Sequence, residues 1–222
     1  MTTFAIIGAG PGLGIAAAER FGREGFAVAL LSRNQERLAG LVDGLAAQAI
    51  TARAYAADVH DRDGLTTALA SAADDLGPIE VLQYSPVPRR EFLLPLLETG
   101  VEDLSAAVEF SVHGPVVAIR QVLPGMTALG RGTILFVNGS SAVTPNPNVT
   151  GTSVAFAGES AYGLMLHDTL IGQNIHVGQL IVPGAIRPGD PVFAPNLLAD
   201  RLWQMHIGRG AYRVTVGAEP LR

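Results

Sequence analysis

The chain contains no cysteine and no lysine among its 222 residues. The absence of cysteine excludes disulfide bonds, thiolate metal sites and cysteine nucleophiles, and it leaves the redox compartment undetermined. The absence of lysine excludes a catalytic or cofactor-binding ammonium side chain. Basic clusters are also absent and the net charge is −5, which argues against nucleic acid or an anionic membrane surface as a partner. We expect a small-molecule ligand instead.

The sequence also lacks an apolar run near the roughly 18 residues that suggest a membrane span. The first apolar run has no basic region before it and is broken by glycines, so it predicts a strand rather than a signal peptide. We therefore expect a soluble, cytoplasmic protein. With 48% apolar and 16% charged residues, a single α/β domain over residues 1–222 is the simplest expectation.

Strand-like and helix-like segments alternate along the whole chain. Strands are predicted over 4–7, 26–31, 52–56, 79–84, 133–137, 176–182 and 212–216. Helices are predicted up to about 24 and over 34–47, 61–75, 101–123, 153–171 and 195–206. This alternation predicts a doubly wound, mostly parallel sheet of the Rossmann type. Ligands bind such sheets outside the carboxyl ends of the strands, where the loops 85–98 and 140–152 should lie.

The run from Phe4 to Ile15 passes from an apolar strand through a glycine turn into an alanine-rich helix. One glycine allows a tight turn, one lets the backbone approach a pyrophosphate, and one permits close packing of helix on strand. The helix N-terminus adds free N–H groups and a positive dipole. The turn therefore predicts a phosphate-bearing cofactor, and the residues expected to contact it are Gly8, Gly10, Pro11, Gly12, Leu13 and Gly14.

The spacing of Gly8, Gly12 and Gly14 resembles the glycine turn of the short-chain dehydrogenase/reductase family, and the resemblance covers nearly the whole chain. It rests also on Asp58-Val59 after the third predicted strand and Pro183-Gly184 after the sixth. The resemblance implies that the first pair contacts adenine and that the second lies along the nicotinamide. The other contacts implied are Tyr84, Ser85, Pro86, Ala185 and Ile186. The alternative is a glycine-rich turn without a ligand.

The second predicted strand ends in Leu31-Ser32-Arg33-Asn34, where NAD-specific members of that family usually carry an acidic residue. A guanidinium at Arg33 can fork onto a ribose 2′-phosphate, with the Ser32 hydroxyl beside it. We therefore expect NADP(H) as the cofactor, held at this end by Ser32, Arg33 and Asn34. The alternative is that Arg33 is a solvated residue at the start of the next helix.

The family's proton donor is a Tyr-x-x-x-Lys pair, and the aligned positions here hold Phe156 and Ser160. Phenylalanine cannot donate a proton, and serine carries no charge. Ser111 stands where the family has an asparagine, and only the serine after the fifth strand remains, as Ser140 or Ser141. The resemblance therefore implies a degenerate catalytic site at these five positions. Because positioned acid–base catalysis contributes about 10²- to 10⁴-fold, we expect slow carbonyl reduction.

Two functions remain open from the sequence. One is an NADP(H)-dependent oxidoreductase with a rearranged or substrate-assisted proton source, for which His113 and Tyr84 are candidate donors. The other is a non-catalytic NADP(H)-binding sensor or partner subunit. The mostly apolar run 92–97 is a candidate lining for an apolar pocket, and the scattered histidines predict no metal site. The resemblance also implies a homodimer or homotetramer through the helices 101–123 and 153–171, the second of which carries Leu164, Met165 and Leu166.

Overall fold

The computed structural model describes residues 1–217. Its strands are β1 (Thr3–Ile7), β2 (Ala27–Ser32), β3 (Ala52–Ala56), β4 (Ile79–Tyr84), β5 (Gly132–Gly139), β6 (Ile175–Val182) and β7 (Arg213–Thr215). Its helices are α1 (Leu13–Arg23), α2 (Gln35–Ala46), α3 (Arg62–Leu76), α4 (Val101–Val108), α5 (Gly114–Leu129), α6 (Thr150–Leu170) and α7 (Pro195–Gly208). None of the helices within residues 1–217 is long and apolar enough to cross a membrane.

The seven strands form one parallel sheet in the order β3-β2-β1-β4-β5-β6-β7. Phe4 and Leu30 pack against α1, α2 and α7 on one face, whereas Leu82 and Phe136 pack against α3, α5 and α6 on the other. Burial of both faces explains why the central strands are nearly continuous apolar runs. The predicted doubly wound parallel sheet is confirmed, and its strand order reverses between β1 and β4, which is the switch point where ligands bind.

The helix predicted over 101–123 differs from the observed one. It consists of α4, a π-helical turn at Glu109–His113 and α5, which continues past Pro124 to Leu129. A proline lacks the N–H that bonds to the preceding turn, so the sequence predicts an end at this point. In the structure α5 continues through Pro124 without that hydrogen bond. Helix α6 begins at Thr150, three residues earlier than predicted, and the loop 85–98 contains two short 3₁₀ turns.

The turn after β1 is packed tightly against the segment after β4. Gly8 has a φ angle of +90°, and a Cβ atom at this position would lie 2.7 Å from the Ser85 carbonyl carbon and closer still to Pro86. At Gly14 a Cβ atom would lie 3.0 Å from the Cα of Ala9, so this glycine allows α1 to approach β1. Gly12 has open space around it. Gly8 and Gly14 therefore have the turn and packing roles expected from the sequence, and the approach of a pyrophosphate to the open backbone at Gly12 stays a prediction.

Replacing Gly8 by alanine should destabilise the fold by about 2 to 4 kcal/mol, because it adds both backbone strain and a clash with neighbouring backbone. Urea unfolding of Gly8→Ala against wild type measures this. Gly10→Ala is the matched control, because a Cβ atom there meets no atom within 4 Å. Equal stability of the two variants would contradict a role for Gly8 in the fold.

Candidate functional site

A groove crosses the carboxyl edge of the sheet at the switch point. It consists of two clefts, which we name by the strands that border them. The β5 cleft has a volume of about 560 Å³ and lies beyond β1, β4, β5 and β6, and the β2 cleft has a volume of about 730 Å³ and lies beyond β1, β2 and β3. Both clefts are lined by Gly8, Gly10, Pro11, Pro86 and Val87. One elongated ligand could therefore occupy both clefts across the glycine turn.

The N-terminus of α1 opens onto the shared part of this groove. The cap residue, Gly12, supplies no side-chain hydrogen bond to the first turn of the helix. Neither Gly10 nor Gly12 has any neighbouring atom within 4 Å of a Cβ position. The first backbone N–H groups of a helix lack partners within it, and here the glycines leave them open to an anion. The turn therefore fits a pyrophosphate.

The β2 cleft contains the residues predicted for the far end of the cofactor. Ser32, Arg33, Asn34, Asp58 and Val59 all line it. The oxygen of the Asn34 side chain accepts a hydrogen bond from the backbone N–H of Arg37 at 2.8 Å and thus caps α2. Asn34 therefore positions the start of this helix.

Sequence reasoning missed a second guanidinium in the β2 cleft, that of Arg37. Arg33 and Arg37 are both exposed, and within residues 1–217 neither has a carboxylate partner. Arg33 immediately precedes the N-cap Asn34 and Arg37 lies in the first turn of α2, so both arginines are at the same end of this helix. Together they make this end of the groove suitable for a phosphate group.

Asp58 lies at the edge of the same cleft with both oxygens engaged. Its Oδ1 accepts a hydrogen bond from the backbone N–H of His60 at 3.1 Å, and its Oδ2 lies 3.5 Å from Nη2 of Arg89. Arg89 comes from the loop after β4, so this ion pair links that loop to the segment after β3. The carboxylate is thereby held at the cleft wall.

The β5 cleft is lined mainly by apolar side chains and neutral polar groups. Ser140, Ser141, Phe156, Pro183, Gly184 and Ile186 lie there as predicted, together with Leu13, Gly14 and Ser85. The additional polar side chains are Asn138, Asn146 and Thr152. None of the described residues that line this cleft has a titratable side chain. The cleft therefore offers hydrogen-bond donors but no side chain that can transfer a proton in the usual way.

Four predicted site residues do not line either cleft. Tyr84 is 2% exposed, and its hydroxyl group donates to the backbone carbonyl of Phe110. Tyr84 is thus a core residue, which corrects the expectation that its side chain forms part of the cofactor site. Ser111 is 2% exposed within the π-helical turn, and Ser160 is also buried. Ala185 is exposed but lies outside the groove.

The candidate donor His113 and most of the run 92–97 also lie elsewhere. The Nδ1 atom of His113 is 3.2 Å from Nη2 of Arg62, outside both clefts. In the apolar run only Leu93 lines the β5 cleft, whereas Phe92 is buried in the core and Leu97 is almost fully exposed. The expectation of an apolar lining from this run therefore holds for one residue.

Two loops form the outer wall of the β5 cleft and are joined by backbone hydrogen bonds. The N–H of Leu96 donates to the carbonyl of Pro147 at 2.8 Å, and the N–H of Thr150 donates to that of Leu94 at 3.0 Å. A Cβ atom at Gly151 would lie 2.9 Å from the Cα of Phe92. The loop after β4 is therefore held against the start of α6.

A carboxylic acid that sequence reasoning missed is buried directly behind this wall. Glu159 on α6 is 1% exposed, and it borders a small space that is too small for a water molecule. Asn138 and Phe156 line both this space and the β5 cleft. Burial raises the pKa of Glu159 well above its ordinary value, and the hydrogen bond from the Asn138 amide only partly opposes this shift. Its Oε1 atom has no hydrogen-bond partner among the described residues.

The sheet order and the glycine turn define a fold of the doubly wound class, in which dinucleotides commonly bind at the switch point. The sequence profile of the short chain dehydrogenases matches residues 2–190. The chain therefore belongs to the short chain dehydrogenase family.

Individual relatives agree with this assignment. The chain is 30% identical over 183 residues to an NADP-dependent 3-hydroxy acid dehydrogenase, YdfG, of Salmonella typhi, a match that covers 82% of this chain and 71% of the relative. It is 28% identical over 191 residues to a short chain dehydrogenase of Pseudocercospora fijiensis, covering 84% of this chain but only 59% of the relative. The chain thus spans little more than half the length of that relative.

A solved structure shows how far the similarity extends in three dimensions. The crystal structure of a short-chain dehydrogenase from Rhodopseudomonas palustris superimposes with a TM-score of 0.85. The two chains are 26% identical, and the match covers 99% of each. The similarity in fold therefore includes the strands and loops that form both clefts.

Glu159→Gln should stabilise the protein increasingly as the pH rises from 5 to 8. The pKa of Glu159 is raised in the folded protein, so folding takes up a proton at any pH at which the unfolded chain has this carboxyl group ionised. The free energy of unfolding therefore decreases as the pH rises above about 4.5, the ordinary pKa of this group. Glutamine has no ionisable group and does not show this decrease. The difference in the free energy of unfolding between variant and wild type should therefore grow by up to about 1.4 kcal/mol per pH unit.

Urea unfolding at pH 5, 6, 7 and 8 measures the difference. The control is Glu98→Gln at an exposed position, which should show no such growth. A difference for Glu159→Gln that stays constant with pH would mean that the carboxyl group is ionised in the folded protein.

Proposed function

We propose that the protein is an NADP(H)-dependent oxidoreductase that acts on the carbonyl or alcohol group of a small, largely apolar molecule. The observation that carries this proposal is the continuous groove, in which an anion-binding helix N-terminus lies between an arginine-lined cleft and a mostly apolar one. A dinucleotide fits this order of features, with its pyrophosphate at the glycine turn. The family assignment supports the same class of reaction.

The choice of NADP(H) rests on the β2 cleft. Arg33 and Arg37 bring two guanidinium groups to the end of β2, where a carboxylate would favour a free ribose hydroxyl. The Ser32 hydroxyl lies beside them. The NADP-dependent relative from Salmonella typhi supports this choice. Asn34 contributes by capping α2 and so fixing the backbone that carries both arginines.

The β5 cleft then holds the nicotinamide end and the substrate. When bound, the cofactor supplies or accepts a hydride at the nicotinamide ring. Pro183, Gly184 and Ile186 line the side of the cleft beyond β6, and Ser140, Ser141 and Phe156 line the side beyond β5. Leu93, Val87 and Val149 give the cleft its apolar character, so we infer a substrate that is apolar around its reacting group.

One observation favours the second candidate, a non-catalytic NADP(H)-binding sensor or partner subunit. The described lining of the β5 cleft contains no titratable group, and Phe156 stands where the family's proton donor would be. Such a protein would bind the cofactor with the same residues and show no turnover. Titration with NADPH followed by a panel of ketones, aldehydes and alcohols separates the two functions, since binding without turnover supports the sensor.

We also propose assembly into a homodimer or homotetramer through α6 and the helix pair α4 and α5. Leu164 and Met165 on α6 are 44% and 61% exposed, and Val154 on the same helix is 50% exposed. Leu166 instead packs onto the core. Burial of these exposed side chains against a second copy would be favourable, and closed two-fold assemblies are the commonest kind.

Arg33→Ala should weaken NADPH binding by about 1.5 to 3 kcal/mol, which is roughly 10- to 150-fold, because it removes hydrogen bonds to a charged group. Arg37→Ala should weaken NADPH in the same selective manner. Binding of NADH should barely change in either variant. Fluorescence titrations with both cofactors measure this, and Arg23→Ala at the exposed end of α1 is the control. Equal weakening of NADPH and NADH would show that Arg33 does not bind the 2′-phosphate.

Phe156→Tyr should raise kcat for a simple ketone at least about tenfold, because it places a phenol on the wall of the β5 cleft. The gain should stay below the full effect of a positioned acid, since no nearby cation lowers the phenol pKa. Lysine at position 160 would displace the buried hydrogen bond between Ser160 and Gln179, so the single change is the cleaner test.

Phe156→Leu is the matched control, because it keeps an apolar wall without a donor. Steady-state NADPH oxidation under saturating cofactor measures all three proteins. Wild-type turnover at about 1 to 10³ per second would contradict the degenerate site and show that another proton donor exists.

A further inference from the structure

A row of polar side chains crosses the carboxyl half of the sheet, from the exposed Arg213 on β7 to the buried Asn138 at the β5 cleft. The Nε of Arg213 donates to Oε1 of Gln179 at 2.9 Å. The Nε2 of Gln179 donates to Oδ1 of Asn138 at 2.8 Å and to Oγ of Ser160 at 2.6 Å. Asn138 and the carboxylic acid Glu159 border the same small buried space. Gln179 is fully buried, so these bonds are its only partners within the described chain.

The chemistry of the first group in this row fixes the orientation of all the others. A guanidinium group can only donate, so the oxygen of Gln179 must face Arg213. The NH₂ group of Gln179 therefore faces β5, and it requires the oxygen of Asn138 on its side. The NH₂ group of Asn138 is consequently turned away from Gln179, towards Glu159 and the β5 cleft. Reversal of either amide would leave buried donors facing one another.

The NH₂ group of Asn138 carries two donors on the side turned away from Gln179. Glu159 borders the small space next to this group. Asn138 is 4% exposed, and the side on which it is exposed is the β5 cleft, where it lies beside Phe156. At least one N–H of Asn138 is thus available to a ligand in the cleft.

The two serines expected to fill this role are placed less favourably. Ser140 is exposed at the start of a short 3₁₀ turn. The hydroxyl of Ser141 makes only one long hydrogen bond, to the hydroxyl of Thr152 at 3.4 Å. Asn138 differs from both because it is buried and its orientation is set by neighbours. A donor fixed in advance stabilises developing charge better than one that must reorient.

We propose that Asn138 is a catalytic residue that binds the oxygen of the substrate's reacting carbonyl group, and that Gln179 and Glu159 are positioning residues that aim its NH₂ group. This inference rests on the proposed oxidoreductase function. A bound NADPH would supply the hydride to the carbonyl carbon, and the π electron pair would move onto the oxygen. Asn138 stabilises that oxyanion by hydrogen bonding, and a water molecule in the open cleft protonates it, so the products are the alcohol, NADP⁺ and hydroxide, which leaves to solvent.

Asn138→Leu tests the catalytic role, because leucine has a similar volume and no donor. We expect kcat for NADPH-dependent reduction of an activated ketone, trifluoroacetophenone, to fall about 10²- to 10³-fold, which is the usual effect of removing one such donor. NADPH affinity should stay within about twofold, and this binding also shows that the variant is folded. A kcat within about threefold of wild type would overturn the proposal.

Gln179→Glu tests the positioning role and does not depend on the folding of the first variant. The substitution keeps shape and keeps an oxygen for Arg213, but it removes the NH₂ group that fixes Asn138. Asn138 is then free to rotate its oxygen into the cleft, so kcat should fall while KM changes little. Glu159→Leu should lower kcat in the same way, and Glu159→Gln should restore it, because glutamine also offers an oxygen to Asn138. Failure of Glu159→Gln to restore kcat would identify Glu159 as a proton donor and overturn its positioning role.

A spectroscopic measurement decides the case even if wild type turns over too slowly to assay. The side-chain amide signals of Asn138 in ¹⁵N-labelled protein are assigned by their loss in Asn138→Leu. Addition of trifluoroacetophenone to the NADP⁺ complex should shift them, and the shift should be lost in Gln179→Glu. Signals that stay fixed while backbone signals of the β5 cleft move would overturn the proposal. Absence of NADPH binding would instead refute the proposed function, which keeps the two failures distinct.

Discussion

The contact between the turn after β1 and the segment after β4 determines the geometry of the whole groove. Gly8 reaches this contact with a positive φ angle and no side chain, so its backbone lies against Ser85 and Pro86. The contact lies at the switch point of the sheet, where neighbouring chain segments leave in opposite directions and open a crevice. Both clefts share its residues. A larger side chain at Gly8 would push the two loops apart, which would separate the arginine-lined end from the apolar end.

A second constraint is the presence of polar groups inside an apolar interior. Gln179 and Asn138 lie on strands whose other residues are almost all hydrophobic, and burying an unpaired amide there costs about 1 to 3 kcal/mol. The hydrogen bonds that Gln179 makes with Arg213, Asn138 and Ser160 remove that cost for Gln179 and satisfy the oxygen of Asn138. Such a network allows only one orientation of each amide, so stability and the direction of the donor at the β5 cleft have the same cause.

The fold could be predicted from the sequence because its signals are local. Apolar runs of strand length, glycine turns and helical segments alternate regularly, and the structure confirms the doubly wound sheet. Tyr84 is a residue that local signals placed wrongly, in the cofactor site instead of the core. Both faces of β4 are buried, so apolar periodicity does not reveal which face a given residue occupies. The continuation of α5 past Pro124 is a similar case, because tertiary packing there outweighs a strong local signal for ending the helix.

The site could be predicted only where one short segment defines it. The glycine turn and Arg33 each belong to such a segment, and both line the groove. Asn138, Gln179 and Glu159 are far apart in the chain and come together only through the order of β5 and β6 and the packing of α6. Phe156 and Glu159 are three residues apart, so helical periodicity places them on one face, but nothing local shows that this face adjoins Asn138.

The absence of lysine and the neutral lining of the β5 cleft have one physical consequence in common. An ammonium group in an apolar cleft is costly without counter-charges or water, whereas an amide carries no charge and functions there without them. Phe156 fits such a cleft because an apolar ring beside Asn138 makes the surroundings less polar and strengthens the hydrogen bond that Asn138 donates. A site of this kind favours stabilisation of an oxyanion over proton transfer, so its rate should depend little on the ionisation of cleft side chains and strongly on the direction of a single amide.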